Sequence, residues 1–440
     1  MNEEPDQPQE DSPRIVAVET TRITIWRQTT YFQLPAARRS LWRAARAFLR
    51  ERRGDLRWMV SISIGLLILE FYGFFSGFEG QTFDWYLAFD QRLGVVSGQP
   101  PDKKVLIVDI DDSAYTGCLG GESPLHSDHA AQKLDRLVQL ILKQNPAVVT
   151  VDLLTKPGAL PIASKDPRVV MAAEVKPHKN VISFWGWLAG PENPLFQGEL
   201  PLKPDLAANV YGVPSYPVDE DAGIRRLPRF FRWDIHDQLH PVAERTLYSL
   251  SLLTKMKYRP SEAGALEMTS KELMISYSGG PPARIPAGHI LKCGSNQNQN
   301  PDPGDYSGRV VLIGGTYARS EDLHRTPLGE QTPGVVVNAY AIESELNGAY
   351  IGNAAPRQLF VLDLLFGIVL SWIIWRLRPG SAKQLIQING VALAGFISLS
   401  FLWFIVKRVI WAKWYTALIG ATAGFVIEMY DKDPPLPESD

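Results

Sequence analysis

Two kinds of apolar run are interleaved along this 440-residue chain. The long kind comes first at residues 59–78 (MVSISIGLLILEFYGFFSGF), about the length a helix needs to cross hydrocarbon, with Glu70 as its only charge. It recurs towards the other end at residues 359–375, 385–406 and 411–429. The short kind fills the region between. Residues 105–111 (VLIVDID), 147–152 (AVVTVD), 180–185 (NVISFW), 273–277 (LMISY) and 309–314 (RVVLIG) are rich in β-branched residues, and their apolar continuity predicts strands buried on both faces. Residues 131–144 place Leu134, Leu137, Val138 and Ile141 at helical spacing, and residues 337–346 read as a second covering helix. The polar stretch 294–304 (GSNQNQNPDPG) reads as an exposed loop. The pattern predicts an α/β domain over residues 79–356, a largely parallel or mixed sheet covered by helices, with α-helical transmembrane segments on both sides. One lies before it at residues 58–78, and three lie after it within residues 357–429.

Charge orients this arrangement. Arg38, Arg39, Arg43, Arg46, Arg50, Arg52, Arg53 and Arg57 crowd in front of the first long run, and the positive-inside rule places them in the cytoplasm. Residues 1–57 are then a cytoplasmic segment with a disordered start. Residues 58–78 form an uncleaved signal anchor, because more than fifty residues precede the apolar run, and the domain at 79–356 is extracytoplasmic. Three further crossings return residues 430–440 to the cytoplasm. Arg376, Arg378 and Lys383 fall inside on this reading, whereas Lys407, Arg408 and Lys413 fall outside, so a re-entrant hairpin over the last two segments is the competing arrangement. Residues 36–53 put Leu41, Ala45, Phe48 and Leu49 on one helical face with Arg opposite. That pattern suits either a helix lying on the anionic inner leaflet or plain topogenic charge. The first partner implied is therefore the lipid bilayer, in a bacterial cytoplasmic membrane. The net charge of −2 conceals segregated signs, and a nucleic-acid partner has no support.

The candidate chemistry lies where loops leave the strands, since open α/β sheets bind ligands outside their carboxyl ends. Asp109, Asp111 and Asp112 follow the first strand, Asp152 the second, Tyr277 the fourth, and Thr316, Asp322 and Thr326 the last. These oxygens could hold a hard cation or clamp a cationic or hydroxyl-rich small ligand; the alternative is that they cap helices and turns. Asp221, Arg225 and Arg226 suit a turn with ion pairs on the surface. Cys118 and Cys293 are the two cysteines, either an oxidised pair in an exported domain or two unrelated buried thiols. Glu70, Asp363 and Lys413 fall in one leaflet of the proposed topology and are candidates for an intramembrane charge pair. The Gly73/Gly77 and Gly420/Gly424 spacings allow close helix packing, within one bundle or between the protomers of a homodimer. There is no G-x-S-x-G, H-E-x-x-H, Walker A or C-x-x-C motif, and His126 with His129 lacks a further nearby Cys or His ligand. No enzymatic activity and no cofactor are expected.

Several segments together carry a resemblance. GRVVLIGGTYARSEDLHRTPLG followed by TPGVVVNAYAIESELNG, with VLIVDIDDSAY, DEDAGIRRLP and MISYSGGPPARIP before them, resembles the second type of CHASE domain, an extracytoplasmic sensor module of bacterial receptors. One piece departs from it: where the family carries an Arg shortly before a His-Ala helix start, His126, Ser127 and Asp128 precede His129 and Ala130 here. The resemblance also matches the layout of one helix before the domain and three after. Its relatives usually carry a kinase or cyclase after the last helix, where this sequence has YDKDPPLPESD. It therefore implies a sensory protein acting through a separate cytoplasmic or membrane effector, with a scaffolding subunit as the alternative and an exported enzyme as the least favoured.

Overall fold

A computed structural model describes residues 76–93, 103–177, 196–199, 210–234, 244–265, 273–293, 306–353 and 381–410, apart from a few single positions inside these ranges. It adds isolated positions within 64–68 and 361–377. The centre is a six-stranded parallel sheet. Its strands in chain order are β1 (Val105–Ile110), β2 (Val148–Asp152), β3 (Val169–Ala172), β4 (Tyr211–Gly212), β5 (Ala283–Pro286) and β6 (Val310–Gly315). They lie side by side as β5-β1-β6-β2-β3-β4. The mostly parallel α/β sheet expected from the apolar runs is the one observed.

Side-chain alternation decides what each face buries. Val105, Ile107, Val148, Val310 and Leu312 point to a face covered by α1 (Ser76–Leu93), α4 (Leu250–Tyr258) and α6 (Gly334–Asn347), which contribute Phe83, Tyr86, Leu87, Leu250, Leu253, Val337 and Ile342. Leu106, Val108, Ile110, Val149, Val151, Val311 and Ile313 point to the opposite face. It is covered by α2 (Asp112–Gly117), α3 (Asp128–Leu142) and α5 (Ala287–Leu291), whose Ala114, Leu134, Leu137, Val138, Ile141 and Ala287 fill that layer. At about 25 cal/mol per Å² of apolar surface removed from water, these two layers supply most of the drive to fold. The predicted helix at 131–144 is α3, which starts earlier because Ser127 caps it by accepting from the Ala130 amide. The predicted helix at 337–346 is α6. It starts after Pro333 and ends at Gly348, whose φ of 60° is open to glycine without strain.

Two expectations need correction. The run at 273–277 does not enter the central sheet. Leu273–Met274 pairs antiparallel with Arg226–Leu227 on one side and with Ile351–Asn353 on the other, and Ile351–Asn353 pairs parallel with Val409–Ile410. The central sheet instead takes β3, β4 and β5, which had not been expected. The run at 180–185 and the loop at 294–304 fall outside the described residues.

The apolar stretches at 59–78, 359–375 and 411–429 are described at isolated positions or not at all, and Glu70, Asp363 and Lys413 lie outside the described residues. The stretch at 385–406 lies within α7 (Ala382–Lys407). Among the described residues, no helix is long and apolar enough to cross a membrane. The paired thiols are described: Cys118 at the end of α2 and Cys293 just after α5 form a disulfide with Cα atoms 5.5 Å apart.

Candidate functional site

β1, β6 and β2 are adjacent, and the register puts Asp109, Gly314 and Asp152 in one row across them at the carboxyl end. In a parallel sheet a row shares one face, so both carboxylates point towards the α6 side. Between them Gly314 leaves room for α6, since a Cβ there would collide with Val335. The eight strand-end residues then separate into three groups.

The first group surrounds β1 and is occupied by capping and by one side-chain pair. Asp111 is the N-cap of α2 and accepts from the Ala114 amide at 2.7 Å. Asp112 accepts from the Ala318 amide at 2.9 Å. Thr316 donates its hydroxyl to Asp109 at 2.7 Å, and its amide bonds the Ile110 carbonyl at 3.1 Å. Tyr115 and Tyr317 stack at 4.1 Å over the same junction. These contacts staple the loop after β6 to the start of α2. Burial raises the Asp109 carboxyl above the ordinary carboxylate range, although the Thr316 hydroxyl and the Arg284 charge oppose this.

The second group lies at the end of β2 beneath the first turn of α6. Asp152 accepts from the Asn338 side-chain Nδ2 at 2.7 Å, and the Asn338 side-chain Oδ1 accepts the Tyr216 hydroxyl at 2.5 Å. Asp322 pairs with His324 at 2.7 Å, while its carbonyl accepts the Gly334 amide at 2.9 Å. The Asp322 carboxylate rests against Gly334, where any side chain would strike it. This places a negative charge at the positive end of the α6 dipole, a helix that lacks a side-chain N-cap. Asp152 is pushed up to about 7, first by burial and then by the Asp322 charge; the Asn338 bond and His324 only partly offset this. A carboxyl titrating near neutrality, with an amide, a phenol and a histidine around it, can change charge within the physiological range. Among the described residues no group of three or more His, Cys, Asp or Glu is arranged to hold a metal ion.

The third group is engaged by the core and by the hairpin after β6. Tyr277 is fully buried and donates to the Ile224 carbonyl at 2.8 Å, with burial raising its phenol. Thr326 faces Thr332 across the hairpin formed by Leu323–Thr326 and Gly329–Pro333, hydroxyl to hydroxyl at 2.8 Å.

Sequence reading missed Asn338, Tyr216 and His324. Asn338 did leave a signal, as the one amide side chain within VVVNAYA, because a buried amide needs a partner. The Asp221, Arg225 and Arg226 run does form ion pairs, with Arg225 buried rather than on the surface. The Arg225 side chain is 1% exposed, and its five N–H groups make five bonds to three carboxylates. Nε and Nη2 reach Asp84 of α1 at 3.0 and 2.8 Å, Nη1 and Nη2 reach Asp221 at 2.7 Å each, and Nη1 reaches Asp219 at 3.0 Å. Arg226 adds a bond to Asp219 at 3.0 Å. Gly80 of α1 makes the approach possible, since a Cβ there would stand 2.8 Å from the guanidinium.

No curated protein and no solved structure matches the chain. A family model does: the CHASE2 domain, over residues 60–377, which spans α1, the whole central sheet, the Arg225 cluster and the strand ends. With well over half its length matched, and with the GRVVLIGG and TPGVVVN segments forming β6 and the start of α6 at the centre of the fold, the chain belongs to the CHASE2 family of extracytoplasmic sensory domains.

Proposed function

We propose that this protein is a membrane-bound sensor whose extracytoplasmic domain detects a small ligand or an envelope condition at the β2–α6 corner and signals to a cytoplasmic or membrane effector. The observation that carries the reading is the Asp152 carboxyl, in a half-buried polar corner against α6 and held near neutrality in its titration. Small cationic or hydroxyl-rich molecules fit that corner best, because Asp152 and Asp322 offer acceptors while Asn338, Tyr216 and His324 supply polar edges. No catalysis is assigned to it.

Placement in the bilayer draws support from exposed apolar side chains on and near the C-terminal helices: Val361, Leu365, Val369, Trp372, Ile386, Val391 and Leu399. Pairing of Val409–Ile410 with Ile351–Asn353 brings the chain just after α7 back to the domain. A scaffolding subunit is the second reading, favoured by the structural use of Asp109, Asp111 and Asp112, the first bonded to Thr316 and the other two to backbone amides.

The test is an isothermal titration screen of small amines and polyols on the full chain in detergent, repeated on Asp152→Asn. Binding by the native protein that the variant loses supports the sensor. No heat from any compound, together with a stably co-purifying membrane partner, would favour the scaffold.

A further inference from the structure

The segment Asp219 to Leu227 touches three parts of the molecule that the proposed sensor must connect. Towards the strand ends, Ile224 donates its amide to the Arg325 carbonyl at 2.8 Å, Gly223 bridges Arg325 in parallel, and the Arg325 guanidinium bonds the Asp221 carbonyl at 3.0 Å. Arg325 belongs to the hairpin that begins at Asp322 and His324. Towards the N-terminal helix, Arg225 holds Asp84 of α1 through two parallel bonds, and α1 starts inside the apolar stretch 59–78. Towards the C-terminal helices, a single row of partners crosses four strands: Leu227 to Leu273, Leu273 to Gly352, and Gly352 to Val409, two residues past α7. Behind the segment, Tyr277 bonds the Ile224 carbonyl and Ile275 donates to the Arg225 carbonyl at 2.8 Å, so its backbone is fixed from the core side as well.

We propose that this segment, with Arg225 at its centre, is the joint that carries a displacement of the 322–333 hairpin to α1 and to the strand after α7. The physical reason is that the guanidinium has no spare donor. If α1 moved without the loop, two N–H groups of a buried cation and the Asp84 carboxylate would lose their partners at once, a state far costlier than moving the pieces together. Gly80 and Gly223 flank the guanidinium so closely that it has no room to change partners. An ordinary surface ion pair would stretch or exchange with water and transmit nothing. The joint rests on the sensor reading for its purpose, though not for its existence.

Amide hydrogen exchange on the full chain in nanodiscs tests it. The input is Thr326→Val, which removes the buried hydroxyl pair of the hairpin and touches none of the Arg225 bonds. In the otherwise native protein this change is expected to speed exchange in α1 by about fivefold or more, the lower range of coupling between sites. In an Asp84→Asn background the same change should leave α1 exchange within about twofold, the scatter of independent sites. Gly80→Ala keeps every charge while displacing the guanidinium and is expected to behave like Asp84→Asn, so the test survives if the charge variant misfolds. Two results would overturn the joint: α1 unmoved by Thr326→Val in the native protein, or moved equally in all backgrounds, which would place the coupling in the core around Phe83, Tyr86 and Leu87. A failed ligand screen would remove the sensor while leaving this coupling measurable. An absent coupling in a protein that binds its ligand would remove the joint alone.

Discussion

Two carboxylate-rich places in this domain meet burial in opposite ways. Around Arg225, three aspartates share one buried cation that has a donor for each contact; Asp221 is held below the usual carboxylate range, first by its hydrogen bond from Arg225. At the β2–α6 corner, Asp152 meets another carboxylate and an amide, and rises to about 7. The difference teaches what each place can do. A compensated cluster is stable in one geometry over a wide pH range and suits transmission. An uncompensated carboxyl stores a cost that a proton or a cationic ligand relieves, and suits reception.

The comparison breaks most decisively at Arg225. Arg225→Met keeps the apolar stem but removes the charge that three carboxylates share, leaving Asp84 and Asp221 without it and Asp219 with Arg226 alone. A loss of about 3–5 kcal/mol is expected in denaturant melts of the full chain in detergent. A loss below about 1 kcal/mol would show that solvent already satisfies those carboxylates. Next in size is reduction of the disulfide, which ties α2 to the end of α5 on the face away from both clusters. It closes a long loop, with a sequence separation of 175, so reduction is expected to cost about 2–5 kcal/mol. It should leave the pH dependence of the melt unchanged, which makes it a control for the prediction on Asp152. A melting point indifferent to reductant would remove the bond from the stability account.

Much of this fold was legible because β1, β2 and β6 are buried on both faces and so read as unbroken apolar runs. β5 was not, since Ala283 and Arg284 are exposed and an edge strand needs no apolar signature. Leu273–Met274 has the composition of a central strand yet pairs in the small sheet, because strand partners are chosen by tertiary contacts that local pattern does not contain. The same reason hid one of the three carboxylates around Arg225. DEDAGIRRLP displays Asp219, Asp221 and Arg225 together, but Asp84 is 141 residues away and looks like any helical acid. At the strand ends, residue type pointed to caps and to ligands equally well. Asp111 and Asp152 were separable only once their donors were known, a backbone amide for one and Asn338 for the other.

Asp152 sharpens the comparison through pH. Its folded pKa, about 7, lies above the ordinary 3.8, so the native state binds the proton more tightly than the unfolded chain does. The associated stability is complete below about pH 4 and is lost as pH rises towards and through 7. With a half-buried group discounted for screening, the loss is on the order of 2 kcal/mol. Asp152→Asn, which stays uncharged, is expected to remove that slope and to be the more stable protein at pH 8, as read by melts from pH 4 to 8. Parallel curves for the two proteins would mean that Asp152 is solvated like a surface acid.

The smallest effect is expected at Asp111, and it tests whether the strand-end carboxylates form one site or two kinds of group. Asp111 accepts the Ala114 amide from the N-cap position of α2, with extended backbone at φ −75° and ψ 177°. Asn serves that position about as well as Asp, because its carbonyl oxygen accepts the same bond. Asp111→Asn is therefore expected to change stability by no more than about 0.5 kcal/mol, whereas Asp111→Ala, which removes the acceptor, should cost about 1 kcal/mol. Neither should alter the pH slope assigned to Asp152 nor the heat of any compound found to bind. If Asp111→Asn abolishes binding while the melt is unchanged, the charge at β1 belongs to the receptive corner. The separation of capping carboxylates from the β2–α6 group would then be wrong.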